Sequence, residues 1–382
     1  MVYLSTLLTG AVGLATVVSA HPGHDVKAEA AERAAALKSV RARGLSQCAT
    51  QLQARGVEAA SVARRDASLQ KIRKARGLSG PLLKARDTTP LTTSHESNLT
   101  VDLSTDPSVL FASGGSCVLA EDVTQGPYYV SGELIRQNLV EDQQGVPLYL
   151  DIQLIDSETC EPVPDVYLDF WHCNATGVYS GVVASGNGDS SDETNLDATF
   201  LRGIQQTDDS GVAEFETIFP GHYTGRATHI HVLSHPADAT ANANDTLAGL
   251  YTTTSSHVGQ IFFDQDLISL VEATDVYSSN TQELTLNADD SILSQELSDD
   301  IDPFVEYVLL GEDVTDGIFA WINVVIDSSQ STSVTPAAYL TEDGGVENEN
   351  SGGFGGGSGG PGGSAPGGSA PSGSAPTGAP PS

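Results

Sequence analysis

The sequence predicts an all-β protein: an antiparallel β-sandwich core with a helical N-terminal arm and a disordered C-terminal tail. Three observations carry that prediction. From about residue 106 the chain turns into short β-branched and aromatic runs punctuated by Gly, Pro, Asn and Asp, the texture of strands joined by turns. No helix-period stretch of useful length interrupts those runs as far as residue 330, which favours an antiparallel sandwich or barrel. A chain of 382 residues also has room for one large buried core plus flanking segments.

Residues 1–20 form an uncharged apolar run ending in Val18-Ser19-Ala20, a small-residue cleavage site. Its Thr, Gly and Ser interruptions suit a signal peptide better than a membrane span, so the protein is expected to be secreted and extracellular. No other segment is apolar enough to cross a bilayer. Residues 21–105 are expected to be a basic helical arm or propeptide followed by a linker. Within them, residues 26–76 are rich in Ala, Arg, Lys, Glu and Leu and broken at Gly44 and Gly56, the pattern of two or three short helices. Arg64-Arg65 is a dibasic pair suited to a processing protease, so a removable propeptide and a permanent arm are both open. Helices with so few large apolar residues bury little apolar area and are expected to be dispensable to the core.

Charge is divided between arm and body. Residues 21–90 hold 14 of the 17 Lys and Arg against six acids, whereas residues from 91 onward hold three Arg (Arg136, Arg202, Arg226) and no Lys against 44 acids. Such a body repels phosphates and anionic surfaces, which excludes nucleic acid and membrane as partners.

Residues 106–330 should hold the sandwich, with strands at Leu148–Ile155, Val166–His172, Gly211–Phe215, His229–Leu233, Gly259–Phe263 and Phe319–Ile326. Residues 331–382 are expected to be a disordered Gly/Ser/Pro-rich tail, most plainly from Gly344 onward. Four cysteines in an oxidising compartment allow three full pairings. Cys160 precedes the strand Val166–His172 and Cys173 follows it, a span of roughly 20–25 Å against the ~7 Å that bridged Cα atoms tolerate. Cys117–Cys160 is favoured instead, with Cys48 and Cys173 unassigned. Sequons at Asn98, Asn174 and Asn244 are candidate glycan sites.

The stretch from Phe219 to Val232 carries the chemistry. His229-Ile230-His231 reads as a strand, and its alternation puts both imidazoles on one face with Ile230 on the other. Neutral histidine is the commonest protein metal ligand, and two on one face suit a transition metal. Tyr223 lies six residues before His229 in a turn flanked by Gly and Pro, with Arg226 between them. A bare His-x-His is as often a satisfied structural pair, so its weight comes from the surrounding motifs.

Those motifs run in order: Gly126-Pro127-Tyr128-Tyr129-Val130, then Trp171-His172-Cys173-Asn174 through Tyr179, then Pro220 through His231, then Gly259-Gln260-Ile261-Phe262-Phe263. Together they resemble the intradiol ring-cleaving dioxygenases, above all the secreted fungal-type members, over about residues 115–327. The resemblance implies a mononuclear non-haem Fe(III) held by Tyr179, Tyr223, His229 and His231. Hard ferric iron prefers anionic oxygen donors, and coordination deprotonates a phenol whose ordinary pKa is near ~10. Tyr223 is implied as both ligand and base. Arg226 is implied beside the ring, where a fixed positive charge stabilises developing carbanion character. Gln260 is implied to hold that arginine, and Pro127 and Tyr128 to line the ring pocket.

The implied reaction cleaves a catechol between its two hydroxyl-bearing carbons with both atoms of O2, giving a muconate-type dicarboxylic acid. Expected partners are therefore a small catecholic molecule and O2, with a homodimer open as the assembly. Because Arg226 is committed to the ring, the substrate is expected to lack a ring carboxylate. His172, His222 and His235 are expected to be structural. The chain departs from the better-known intracellular members in the short spacing from Tyr223 to His229, where those have a longer loop. The competing reading is a non-catalytic secreted β-sandwich that binds iron or phenols; the presence of Arg226 favours the enzyme.

Overall fold

A computed structural model describes residues 45–80, 82, 107–111, 116–118, 126–297 and 302–351. The expected signal peptide, the start of the arm, Asn98 and the chain beyond residue 351 lie outside these residues. Apart from single helical turns, the elements in chain order are α1 (Leu45–Ala54), α2 (Val57–Ala75), β1 (Ser116–Val118), β2 (Val130–Ser131), β3 (Pro147–Asp156), β4 (Tyr167–Trp171) and β5 (Arg202–Gln206). Then come β6 (Val212–Ile218), β7 (His229–Ser234), β8 (Thr254–Ser255), β9 (His257–Phe262), α3 (Gln265–Glu272) and α4 (Ser291–Glu296). The last are β10 (Glu306–Leu309), β11 (Ile318–Ile326), β12 (Thr332–Ser333), β13 (Ala338–Thr341) and β14 (Gly344–Glu347). All six predicted strands are present, with ends shifted by at most a few residues.

Two sheets share the main core. One runs β1-β11-β3-β6, with β10 also on β11; the other runs β5-β4-β7-β9. Alternation along each strand supplies the packing. Leu148, Leu150, Ile152 and Leu154 of β3 and Ile318, Ala320, Ile322 and Val324 of β11 meet Leu168 and Phe170 of β4, Ile230 and Val232 of β7, and Ile261 of β9. Phe170 stacks on Phe215 of β6 with ring centroids 4.4 Å apart, tying one sheet to the other.

The expectation of purely antiparallel pairing holds for the second sheet and fails for the first. There β3 and β11 run parallel from Leu148↔Ile318 to Asp156↔Ile326, and β1 is parallel to β11 as well. The chain between β3 and β11 passes through the whole second sheet, a crossover long enough to return a strand in the same direction. The short helices α3 and α4 also correct the expectation that no helix intervenes.

The arm differs most from its sequence reading. Helix α2 lies on the outer face of the first sheet and buries Ser61, Arg65, Leu69 and Arg73, a stripe four residues apart and mostly polar. Strand residues that point away from the core receive it. Arg64 donates to Asp151 through Nε (2.8 Å) and Nη2 (3.0 Å), and Arg65 Nε reaches the same carboxylate at 3.2 Å. Arg65 Nη2 continues to Asn323 Oδ1 at 2.9 Å, Ser61 Oγ to Gln153 Oε1 at 2.8 Å, and Ser68 Oγ to Glu214 Oε1 at 2.6 Å. Leu69 joins Phe111, Phe319 and Trp321 in a small cluster of its own. The helix docks by buried ion pairs, which an apolar count does not register. Cleavage after Arg65 would cut α2 in its middle.

The favoured Cys117–Cys160 pairing is overturned: Cys48 of α1 bridges Cys160, with Cα atoms 5.2 Å apart. Helix α1 reaches that turn because Cys48 and Leu52 pack on Ile155 and Cys160. Cys173 is a buried free thiol. The expected tail is also shortened. Residues 338–347 form the hairpin β13–β14, and β13 pairs in parallel with β2 through Ala338↔Val130 and Tyr339↔Ser131. The apolar run Ala338-Tyr339-Leu340 was masked by the low-complexity sequence that follows it.

Candidate metal centre

Strand register places the two histidines. On β7, Ile230 and Val232 point into the core, so His229 and His231 project from the outer face of the second sheet. There His231 stands between Trp171 of β4 and Gln260 of β9. The indole of Trp171 stacks on the His231 ring at 4.9 Å and 8°, which fixes the plane of that imidazole.

Two turns carry the tyrosines to the same spot. In the first, the Asn174 side chain accepts from the backbone N–H of Thr176 and Val178. Asn187 brackets Tyr179, accepting from its N–H at 2.7 Å and donating to its carbonyl at 2.8 Å. Asn195 donates to that carbonyl too. The second turn, holding Tyr223, packs against the first so closely that a Cβ on Gly177 would lie 2.2 Å from the His222 carbonyl. One on Gly221 would lie 2.4 Å from the Asn174 carbonyl. Glycine at both positions is what lets the two phenols converge.

The result is a buried knot of four side chains. His229 Nε2 lies 3.0 Å from His231 Nε2 and 3.3 Å from the Tyr223 hydroxyl. The Tyr179 ring lies 5.7 Å from that of Tyr223 and 6.0 Å from His231, centroid to centroid. Tyr128 stacks on Tyr179 at 4.6 Å, and Pro127 is buried beside it. Burial pushes both the Tyr179 and Tyr223 phenols well above the ordinary tyrosine range, with Arg226 opposing that rise at Tyr223.

This donor set fits a metal ion. His229 Nδ1 donates to the Ala227 carbonyl at 2.6 Å, which leaves the Nε2 lone pair pointing into the knot. The hydroxyl of Tyr179 is buried there without a hydrogen bond of ordinary geometry. Two inward-facing imidazoles and two phenols, converging with no lysine among them, form a mixed nitrogen and oxygen set suited to a hard trivalent cation. Among the described residues no group of three or more His, Cys, Asp or Glu could hold a metal, so an ion here depends on the phenols.

Arg226 is fully buried next to this knot. Its Nε donates to Asp290 Oδ2 at 2.9 Å and its Nη2 donates to Gln260 Oε1. Gln260, on β9, thus contacts the arginine directly. Asp290 was missed in the sequence, where no helix was expected; in the structure it is the N-cap of α4. The other two arginines of the body are committed elsewhere. Arg202, also buried, donates to Glu133 (2.9 Å), to the Tyr128 carbonyl (2.6 Å) and to the Ser180 carbonyl (2.9 Å). Arg136 donates to the Thr199 and Arg202 carbonyls and pairs with Glu141 at 2.8 Å.

The remaining histidines find partners of their own. His172 contacts the Cys173 carbonyl and Thr217, and His222 contacts Glu272 and the Gln282 carbonyl. His235 contacts the Thr254 carbonyl. Burial holds His172 and His235 neutral, with pKa values lowered to about 4.

Two tyrosines, two histidines and a clamped arginine around one buried point are the set that the sequence resemblance implies for a ring-cleaving dioxygenase. The family model described as Dioxygenase matches residues 124–302, so this stretch of the chain is similar to the intradiol ring-cleavage dioxygenases. Among solved structures it is similar to an intradiol ring-cleavage dioxygenase from Tetranychus urticae, at 28% identity over 56% of this chain and 97% of that one, with a TM-score of 0.44. It is also similar to the dioxygenase domain of a dioxygenase–carbohydrate-binding fusion from Streptomyces sp. SirexAA-E, at 20% identity over 54% of this chain and 96% of that one, with a TM-score of 0.31. No curated protein matches the sequence.

Proposed function

We propose that the protein is a secreted, Fe(III)-dependent intradiol dioxygenase that opens the ring of uncharged catechols to muconate-type dicarboxylic acids. One observation carries the reading: Tyr179, Tyr223, His229 and His231 converge in one buried knot directly beside Arg226. Those four residues would hold the iron. When bound, ferric iron supplies the Lewis acidity and redox capacity that make a catecholate ring reactive toward O2.

The chain's own residues do the rest. Tyr223, next to Arg226, takes the proton of a catechol hydroxyl as the substrate enters. The Arg226 guanidinium stabilises negative charge that builds on the ring carbon attacked by oxygen. Pro127 and Tyr128 form a ring-pocket wall, and the stacked Tyr128–Tyr179 pair keeps water from that side. No arginine of the body is left over for a substrate carboxylate, since Arg136 and Arg202 spend their donors on backbone carbonyls and on Glu141 and Glu133. An unpaired carboxylate taken into such a site costs several kcal/mol, ~2 or more, so catechol, alkylcatechols and hydroxyquinol are the preferred class.

The test is oxygen uptake by the iron-loaded protein with catechol, 4-methylcatechol and hydroxyquinol, with mass analysis of the product formed under 18O2. Equimolar uptake and a ring-opened dicarboxylate carrying both labelled atoms are expected. A protein that holds iron yet consumes no oxygen with any of the three overturns the reading in favour of an iron-binding, non-catalytic protein.

A further inference from the structure

We infer that Asp290 is a positioning residue for the reaction, acting through Arg226; this rests on the ring-cleavage reading above. Asp290 opens α4, sixty-four residues after the arginine in sequence, and is buried to 1% exposure. Its two oxygens do different jobs. Oδ1 accepts from the N–H groups of Ile292 (2.8 Å) and Leu293 (3.0 Å), the capping bonds of the helix. Oδ2 accepts from Arg226 Nε (2.9 Å) and from the Ala227 N–H (2.8 Å).

Four N–H donors therefore fill the carboxylate and remove its freedom to rotate. The guanidinium is held on two sides, by Asp290 at Nε and by Gln260 at Nη2. A planar fork tied at two of its nitrogens has one orientation, and the charge-assisted bond to Asp290 is the stronger tie. The same Oδ2 anchors Ala227, whose carbonyl accepts from His229 Nδ1 and so orients that imidazole. One carboxylate from a remote helix thus registers the arginine against the strand that carries the histidines.

Asp290→Asn separates positioning from folding. Asparagine caps a helix as well as aspartate does, but its amide nitrogen at the Oδ2 position cannot accept from Arg226. The variant is expected to keep stoichiometric iron and the same visible absorption, to hold KM for catechol within about threefold, and to lose at least ~10-fold in kcat. In an Arg226→Ala background the same change is expected to cost much less, because the larger part of its effect passes through the arginine and only the bond to Ala227 remains to be lost. Should the Asn variant not fold, Asp290→Ser, also a good cap, carries the same test. Full activity of the Asn variant overturns the inference, as does an equal loss in both backgrounds. A wild type inert toward every catechol overturns the ring-cleavage reading instead, and the inference falls with it.

Discussion

Replacing Asp151 with Ala should unfasten the arm. Asp151 lies on the outward face of β3 with a fully buried side chain, and it is the shared partner of Arg64 and Arg65, whose side chains are 17% and 3% exposed. In the variant, Arg65 keeps Asn323 as a partner and the charge of Glu306 nearby, but loses its hydrogen-bonded carboxylate inside the interface. Removing one partner of a buried ion pair strands the other and costs about 3–5 kcal/mol. Arg64 is near enough to water to re-solvate, so the cost should arise mainly at Arg65 and fall toward the lower end of that range. Burial alone would raise the Asp151 carboxyl, but the two guanidiniums outweigh it and hold its pKa below the usual 3.8. A depressed folded pKa means that this stabilisation is present above the unfolded value and is lost as pH falls through the folded one, that is, below roughly pH 4. Urea unfolding of wild type and variant at pH 7 and pH 3 measures both effects, with trypsin sensitivity at Arg64-Arg65 as a local readout. A loss below 1 kcal/mol at pH 7, with no gain in cleavage, would show that the helix is held by something other than this cluster.

Three further outcomes follow from the same contacts. Cys48→Ser removes a bridge that closes a loop of 112 residues, and chain-entropy reasoning puts its loss at about 2–5 kcal/mol with iron content unchanged; thermal melting with and without reductant checks it. Catechol should exceed protocatechuate by at least ~10-fold in kcat/KM, a difference that needs only ~1.4 kcal/mol, and low salt should widen the gap because the body repels anions. Equal rates on the two substrates would mean that Arg136 or Arg202 leaves its present partners. Arg226→Ala should retain iron and visible absorption while turnover falls by orders of magnitude, and loss of iron in that variant would make the arginine structural.

What the sequence displays and what it hides divide along physical lines. His229 and His231 are legible because strand periodicity acts over two residues, and Tyr223 because its turn is short. Tyr179 and Gln260 are legible only through the ordered motifs, since a remote turn and the pairing of β9 with β7, not proximity in sequence, bring them to the histidines; Arg226 is near His229 in sequence, but its role too comes only from the motifs. Asp290 carries no local sign of its role. Asn187 and Asn195, which hold the Tyr179 turn, look like ordinary loop residues. The arm was misjudged because α2 docks through Ser61, Arg64, Arg65 and Ser68, whose partners Gln153, Asp151 and Glu214 sit on outward strand positions that periodicity assigns to solvent. The Cys48–Cys160 bridge depends on that docking, so no spacing rule finds it. Parallel pairing of β3 with β11 likewise follows from the crossover of the chain and not from either strand's composition.

The central claim is that the four-residue knot is a ferric site, and iron stoichiometry with visible absorption tests it most directly. Wild type supplied with iron should hold it stoichiometrically and show the reddish tyrosinate-to-iron band. His231→Ala, His229→Ala and Tyr179→Phe should each lose both, because no other described side chains offer a replacement set. A colourless wild type that refuses iron would contradict the account, as would a histidine variant that keeps full iron, colour and turnover.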